Sequence, residues 1–145
     1  MKNHQTLANL EKFLANSYAL MLKTQNYHWN VVGTNFKALH ELFAEQYSDL
    51  FTAIDEIAER IRSLGAKVDG CFTAFAKLST ITKADNNANA LQMLQNLVGD
   101  HDIIIKQLHT FIATAQQEQD EATADIFIQR LKVHEKALWM LVSSQ

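Results

Sequence analysis

Two histidines in the first third of the chain have a spacing that is typical of paired metal ligands. His28 and His40 lie six residues before and six residues after Thr34, and the glycine at Gly33 followed by Thr34 and Asn35 predicts the turn of a helical hairpin. Residues equidistant from such a turn come level with one another when the two helices run antiparallel. We therefore expect the two imidazoles to lie together and to converge on one point.

Two carboxylates further along the same predicted helix complete a possible ligand set, although one chain cannot bring them to the histidines. Asp55 and Glu59 are four residues apart, so they share one helix face. Asp55 lies fifteen residues after His40, which is about 22 Å along a helix, whereas a metal site spans only a few ångströms. A shared site requires a second copy, with the two helices antiparallel about a twofold axis near residues 47–49. The spacing thus predicts an inter-subunit site, two per dimer.

Two imidazoles and two carboxylates form a mixed nitrogen and oxygen ligand set that suits Fe(II), Mn(II) or Zn(II). Carboxylates stabilise Fe(III) once it forms and can bridge two metals, which would allow an oxidant to take one electron from each of two irons. The intrachain di-iron signature Glu-x-x-His is absent, because none of the six histidines follows a Glu by three residues. The zinc signature HExxH is also absent. The ligand set therefore favours a ferroxidase site between subunits.

The composition predicts a single all-α domain. The 145 residues include no Pro and four Gly, and the net charge is -3 with a pI near 6.0, so nothing in the overall balance attracts nucleic acid or anionic lipid. The N-terminal MKNHQ lacks the features of a signal peptide, no apolar run approaches a membrane span, and we expect a cytoplasmic protein. Cys71 is the only cysteine, which excludes an intrachain disulfide, and we expect it to be a small packing residue.

Apolar residues that recur every three or four positions predict four long helices, at about residues 6–31, 36–64, 88–115 and 121–142. Asn35 is the expected N-cap of the second helix and Gly65 its end. Phe36 and Leu91 fall on the predicted buried faces of the second and third helices. The connection over residues 66–87 is long for a helix bundle and contains one short apolar segment at 72–78. Two hairpins joined by one long crossover make a four-helix bundle of ferritin-like topology, with a short helix in the crossover.

Four motifs carry a resemblance to the Dps family of mini-ferritins over nearly the whole chain. They are HWNVxGxxFxxLH at 28–40, DxxAERIxxLG at 55–65, DEATAD at 120–125 and HEKALWML at 134–141. The resemblance implies four-helix chains in hollow shells of twelve subunits with tetrahedral symmetry. It also implies ferroxidase sites at twofold interfaces, where Fe(II) is oxidised, preferentially by hydrogen peroxide, before the ferric product is stored in the cavity.

The resemblance also assigns roles to single residues. It makes His28 and His40 metal ligands from one subunit, and Asp55 and Glu59 ligands from its neighbour. It places Trp29 beside the iron, where an indole can intercept a radical. The acidic positions that line the threefold pores of the family, where negative charge draws cations inward, correspond here to Asp120 and Asp125.

Two positions depart from the family pattern. Ala44 stands where an acidic residue usually follows the second histidine by four positions, and Glu41 and Glu45 point about 100° away from that direction on a helix. We therefore expect the iron on the His40 side to be weakly held or completed by water. Gln129 stands where a further pore aspartate is common, so the inner pore is expected to be less negative.

Other interpretations remain for most of these residues. A histidine on an apolar stripe is most often a hydrogen-bonded core residue, and Asp55 and Glu59 are also consistent with a flank that pairs with nearby arginines. Acids at a helix start, such as Asp120 and Asp125, are favoured by the helix dipole alone. His101, His109 and His134 are interpreted as core or surface residues. Two alternative functions are DNA compaction, which a single Lys2 before the first helix makes a weak hypothesis, and metal sequestration by a shell without ferroxidase activity.

Overall fold

The computed structural model describes residues 4–145, and every regular element in this range is a helix. The helices are α1 at His4–Asn30, α2 at Phe36–Ser63, α3 at Phe72–Leu78, α4 at Ala90–Gln117 and α5 at Glu121–Ser143. The predicted bounds of the four long helices agree with these to within two residues, and the predicted all-α class is confirmed. None of the helices in residues 4–145 has both the length and the hydropathy that a membrane span requires.

Polar contacts between α1 and α4 establish the topology of the bundle. Lys23 Nζ lies 2.8 Å from Asp100 Oδ2 towards one end of the bundle, and the backbone N–H of Thr6 donates to Glu118 Oε2 at 2.9 Å at the other end. Late residues of α1 therefore meet early residues of α4, so the two helices are antiparallel. Residues 64–89 must then run the length of the bundle from the end of α2 to the start of α4. This is the ferritin-like connectivity that the long crossover predicted.

Hydrogen bonds that were not predicted from the sequence hold the crossover, residues 64–89, against α1. Asn16 Oδ1 accepts from the Ser79 hydroxyl at 2.9 Å and from the Thr80 backbone N–H at 2.8 Å. The Tyr27 hydroxyl accepts from the backbone N–H of Asp85 at 3.2 Å. A connection without much secondary structure is thus ordered because buried polar side chains of α1 satisfy its backbone.

Several local signals in the sequence end or begin the helices as expected. Gly65 has a φ of +95° and follows α2, where its N–H bonds to the carbonyl of Arg62, so only glycine fits without strain. Asn89 forms a capping box with Gln92 at the start of α4. Asn35 does occupy the N-cap position of α2, but its side chain makes no capping hydrogen bond.

The core lies between the two hairpins. Three residues that were predicted to be buried are exposed instead. Phe36 is 44% exposed and Leu91 is 49% exposed, because both sit in the first turn of a long helix, beyond the packed layer. Cys71 is exposed rather than packed, since it precedes α3 on the outside of the crossover. The fully buried side chains that make the core include Leu10, Phe13, Phe43, Ile57, Ile61, Leu97, Ile104, Leu108, Phe127 and Leu141.

Candidate metal centre

His28 and His40 meet at the turn end of the first hairpin, as their spacing around the turn predicted. His28 lies in the last turn of α1 and His40 in the second turn of α2. Their ring centroids are 3.7 Å apart and the ring planes differ by 14°, so the imidazoles are stacked. Both side chains are half-buried.

Reciprocal hydrogen bonds fix the protonation of both rings. Nδ1–H of His28 donates to the backbone carbonyl of His40 at 2.7 Å, and Nδ1–H of His40 donates to the carbonyl of His28 at the same distance. A carbonyl oxygen can only accept, so the proton of each neutral ring is on Nδ1 and the lone pair is on Nε2. Histidines that bind metals are typically held in this way by a backbone or carboxylate acceptor. The two Nε2 atoms are therefore prepared to coordinate cations without rearrangement.

The stacked geometry corrects the expectation that the two rings converge on a single ion. The lone pair of Nε2 lies in the plane of its ring, and metal–nitrogen bonds are about 2.0–2.2 Å long. A cation cannot lie in two nearly parallel planes whose ring centroids are 3.7 Å apart. Each ring instead suits its own ion, and the separation resembles the roughly 3.5–4 Å between the metals of two-metal sites. The stacked pair is therefore better suited to two neighbouring ions than to one.

Two aromatic rings of α2 flank the histidine pair. Phe36 stacks on His40 with ring centroids 5.0 Å apart. This contact gives the partly exposed Phe36 side chain a packing partner at the surface. Tyr47 presents an edge-to-face contact to His28 with centroids 5.2 Å apart and planes at 63°. Tyr47 is a site residue that was not predicted, although its position two turns after His40 on the same helix is a signal that could have found it.

Asp55 and Glu59 are exposed on α2 and lie far from the histidines of their own chain. Because α2 is unbroken from Phe36 to Ser63, the separation of about 22 Å between the His40 and Asp55 positions is enforced by a rigid helix. Within residues 4–145, no three His, Cys, Asp or Glu side chains are grouped closely enough to hold a metal ion. The four predicted ligands therefore do not come together within one chain.

The alternative that Asp55 and Glu59 pair with neighbouring arginines gains no support from the arginine contacts. Arg60 Nη2 donates to Asp120 Oδ1 at 2.9 Å, and Arg62 Nη1 donates to the carbonyl of Ala66 at 2.9 Å. Both guanidinium groups are engaged elsewhere. The two carboxylates are thus left at the surface of α2, facing outward from the chain.

The side chain of Trp29 is 60% exposed at the end of α1, next to His28 in sequence. Its expected role as a radical trap beside the iron stays a prediction.

The two acidic residues predicted to line a pore have different environments. Asp120 is 6% exposed and is the N-cap of α5, where its carboxylate accepts from the Thr123 backbone N–H at 3.0 Å and from Arg60. Although burial opposes the effect, hydrogen bonds from Thr123 and the Arg60 charge lower the pKa of Asp120. Its interpretation as a helix-start acid is therefore well supported. Asp125 and Gln129 are exposed, and a pore role for either aspartate stays a prediction.

A second histidine pair, which the sequence did not predict, lies in the core between α4 and α5. His101 Nδ1 and His134 Nδ1 are 2.9 Å apart, the side chains are 2% and 1% exposed, and neither Nε2 has a hydrogen-bond partner among the described residues. Burial, with a further contribution from the Arg130 charge, lowers the pKa of His101 to about 4. Burial, the charge of His101 and that of Arg130 also lower the pKa of His134. His109 is on the surface.

Comparisons with known proteins agree with the fold. The family model of the ferritin-like domain matches residues 7–143. A low-temperature-induced protein of Nostoc is 41% identical over 92% of this chain and 76% of its own length. DNA protection during starvation protein 2 of Bacillus anthracis is 34% identical over 96% of this chain and 95% of its own.

The solved structures include one that names the chemistry of its superfamily. The Dps protein of Vibrio cholerae O1, described as a member of a broad superfamily of ferritin-like diiron-carboxylate proteins, superposes with a TM-score of 0.93. It is 31% identical, and the match covers 98% of this chain and 89% of that one. Together with the ferritin-like connectivity and the paired histidines, these matches establish that the chain belongs to the Dps family of ferritin-like proteins.

Proposed function

We propose that this protein is a cytoplasmic mini-ferritin that binds Fe(II) between subunits and oxidises it with hydrogen peroxide or dioxygen. The ferric product is stored in a hollow shell, so iron and peroxide are consumed before they can damage the cell. The single observation that carries the proposal is the pair of reciprocal hydrogen bonds that leaves Nε2 of both His28 and His40 free for metal. The diiron-carboxylate superfamily of the Vibrio cholerae relative supports iron as the metal. Zn(II) and Mn(II) are the competing cations for such ligands.

The second half of each site comes from another copy of the chain. Asp55 and Glu59 reach the histidines of a neighbour when two α2 helices pack antiparallel about an axis near residues 47–49. The outward face of α2 at this point carries Phe51, which is 70% exposed in the single chain. Burying a Phe side chain is worth about 1.5–3 kcal/mol, so this ring favours such packing. Assembly of the dimers into a shell of twelve subunits follows the family resemblance.

The stacking of the two histidines supports a site in which each ring binds its own iron. His28 holds one Fe(II) and His40 the other, and Asp55 and Glu59 of the neighbouring subunit complete and bridge them. Two Fe(II) ions give one electron each to hydrogen peroxide, which takes up two protons and leaves as two water molecules. Delivery of both electrons together avoids release of hydroxyl radical. Ala44 offers no carboxylate on the His40 side, so the second iron depends on water and on the shared carboxylates.

Mixed assembly of two inactive variants tests the shared site. The variant H28A/H40A lacks both imidazoles, and D55A/E59A lacks both carboxylates. Each is expected to lose peroxide-driven Fe(II) oxidation when assembled alone. Random mixing of the two chains should restore about a quarter of the wild-type sites, because half of the dimers are mixed and each mixed dimer has one intact site. Stopped-flow absorbance of the ferric product measures the rate.

Three other outcomes have separate meanings. Wild-type rates in both variants would exclude these residues as the site. Loss in both variants without recovery on mixing would require all four residues to act within one chain, contrary to the proposed interface. A wild-type protein that binds Fe(II) but does not accelerate its oxidation would favour metal sequestration. A matched variant, H109A, changes an exposed histidine and should leave the rate unchanged.

Asp125 is proposed to line the path by which iron enters the shell. Its exposed carboxylate attracts cations over a distance that depends on ionic strength. D125N should slow iron uptake at low salt and have less effect at high salt. An equal effect at both ionic strengths would argue against electrostatic guidance.

DNA compaction, the alternative raised by the family, gains no support from the described residues. The net charge of the chain is -3, which does not attract a phosphate backbone. Lys2, the one base before α1, lies outside the described residues. A gel-shift assay at low salt should therefore show weak binding at most, and tight binding that salt abolishes would revive this alternative.

A further inference from the structure

Tyr47 is the oxidisable side chain that lies directly against a proposed iron ligand. Its ring is in edge-to-face contact with His28, with centroids 5.2 Å apart, and it is half-buried on α2. Trp29 is 60% exposed at the end of α1. The packing thus favours Tyr47 over Trp29 as the side chain that donates an electron when iron is bound to His28.

The two proposed iron positions differ in their protein ligands, and this difference creates a need for a side chain that can donate an electron. Reduction of hydrogen peroxide to the level of water requires two electrons, and one Fe(II) supplies only one. The stacked rings assign the second iron to His40, where Ala44 leaves fewer protein ligands. At low iron supply many sites therefore hold a single Fe(II), on the His28 side. Peroxide that receives one electron splits into hydroxide and hydroxyl radical.

We propose that Tyr47 supplies the second electron when the His40 position is empty. In this step Fe(II), the Tyr47 phenol and hydrogen peroxide give Fe(III), a Tyr47 phenoxyl radical, one water molecule and one hydroxide ion. The O–O bond breaks, the iron and the phenol are each oxidised by one electron, and the phenol proton leaves on the water. The inference rests on the proposed ferroxidase function and extends it to sites with one iron.

The other two tyrosines differ from Tyr47 in position and are suitable references. The Tyr27 hydroxyl accepts hydrogen bonds from Asn96 at 3.0 Å and from the backbone of Asp85 within the bundle. Tyr18 stacks on Phe75 of α3, with centroids 5.0 Å apart, beside the crossover. Y18F therefore removes a partly exposed phenol on a different part of the chain and is a matched control for Y47F.

The test uses the assembled full-length protein loaded anaerobically with less than one Fe(II) per site. Hydrogen peroxide is added, samples are frozen within milliseconds, and radicals are detected by electron paramagnetic resonance. Protein labelled with ring-deuterated tyrosine identifies a tyrosyl signal by its narrowed lines. Hydroxyl radical is measured in parallel with a spin trap. Sedimentation confirms that each variant assembles, and Y47F keeps the ring that packs on His28.

The expected result is a tyrosyl signal in the wild type that is lost in Y47F and retained in Y18F and W29F. Trapped hydroxyl radical should rise several-fold in Y47F and should not rise in Y18F. Persistence of the signal in Y47F, or its loss in W29F alone, would overturn the assignment. Rapid iron oxidation without any tyrosyl signal in the wild type would also overturn it while the ferroxidase proposal stands. A wild type that does not accelerate oxidation at all removes both proposals.

Discussion

Two pairs of histidines touch in this molecule, and they are prepared for opposite chemistry. In the pair His28 and His40, each Nδ1–H is donated to a backbone carbonyl and the rings are half-buried. In the pair His101 and His134, one Nδ1 must donate to the other at 2.9 Å, and both side chains are buried. In the first pair the lone pairs of both Nε2 atoms are left for a metal ion. In the second pair the two rings hydrogen-bond to each other inside the core.

The difference shows that contact between imidazoles does not by itself make a metal site. Two neutral rings that share one Nδ1 proton must be complementary tautomers, so only one of the buried Nε2 atoms has a lone pair. Arg130 adds positive charge beside them, which lowers the pKa of both rings after the larger effect of burial and also disfavours a cation. The acceptor that each ring uses and the charge nearby determine what a histidine can bind.

Metal binding should separate the two pairs by the largest margin. H28A removes a proposed ligand, and loss of a ligand should weaken Fe(II) binding at least as much as the roughly 10–100-fold cost of losing a partner that orients one. H101L/H134L should change the affinity little, because both polar partners are removed from a site without accessible ligands. Anaerobic calorimetric titration of the assembled protein measures both. Comparable losses in the two variants would mean that the buried pair also holds metal.

The free energy of unfolding, in contrast to metal binding, should depend mainly on the buried pair His101 and His134. H134A leaves a cavity and an unpartnered His101 in the core, which together should cost about 2–4 kcal/mol of unfolding free energy. H101L/H134L removes both polar groups and should cost less than the sum of the single substitutions H101L and H134L, each of which leaves the other ring unpartnered. H109A, at an exposed position, should stay within about 0.5 kcal/mol of the wild type. Urea unfolding at a fixed subunit concentration provides the comparison. Additive costs would indicate that the rings do not interact.

Much of this contrast could not be predicted from the sequence, although the fold could. Apolar periodicity and Gly65 gave the helix limits, and the long connection gave the topology. Spacing around Thr34 predicted that His28 and His40 meet, because a hairpin turn aligns backbone positions. Side-chain orientation depends on packing instead.

For that reason the stacking of the two rings, the contact of Tyr47 and the contact between His101 and His134 appear only in three dimensions. The last two histidines are separated by 33 residues on different helices, and no local pattern relates them. Leu91 illustrates the same limit, since it fits the apolar period of α4 but lies beyond the packed layer.

Acid should destabilise the fold through the buried pair. The pKa of His101 is about 4 in the folded chain, below the value of 6.5 that it has when unfolded, and the pKa of His134 is also lowered. The unfolded chain therefore binds more protons, and stability falls as pH decreases from about 6.5 towards 4, by a few kcal/mol. The charged groups that act on the pair are Arg130 on α5 and Asp49 on α2, which are themselves paired.

The matched measurement compares urea unfolding of the wild type and H101L/H134L across this pH range. Carboxylates such as Asp120 contribute to both proteins, so the difference in slope isolates the histidines. The variant should depend less on pH. Parallel slopes would show that the buried rings are protonated with the same pKa in the folded and unfolded chains.

An added ligand beside His28 and His40 is the smallest change, and it sharpens the contrast between the two histidine pairs further. A44D adds a carboxylate one turn after His40, on the side where the second iron has few protein ligands. Anaerobic Fe(II) titration should find about one tightly bound iron per chain in the wild type and about two in A44D, since each chain contributes one dinuclear site to the dimer. A glutamine at the same position, A44Q, has no charge and should bind less tightly than A44D. Two tightly bound irons in the wild type would mean that water and the shared carboxylates already hold the second ion, and the single-iron chemistry assigned to Tyr47 would then be confined to iron scarcity.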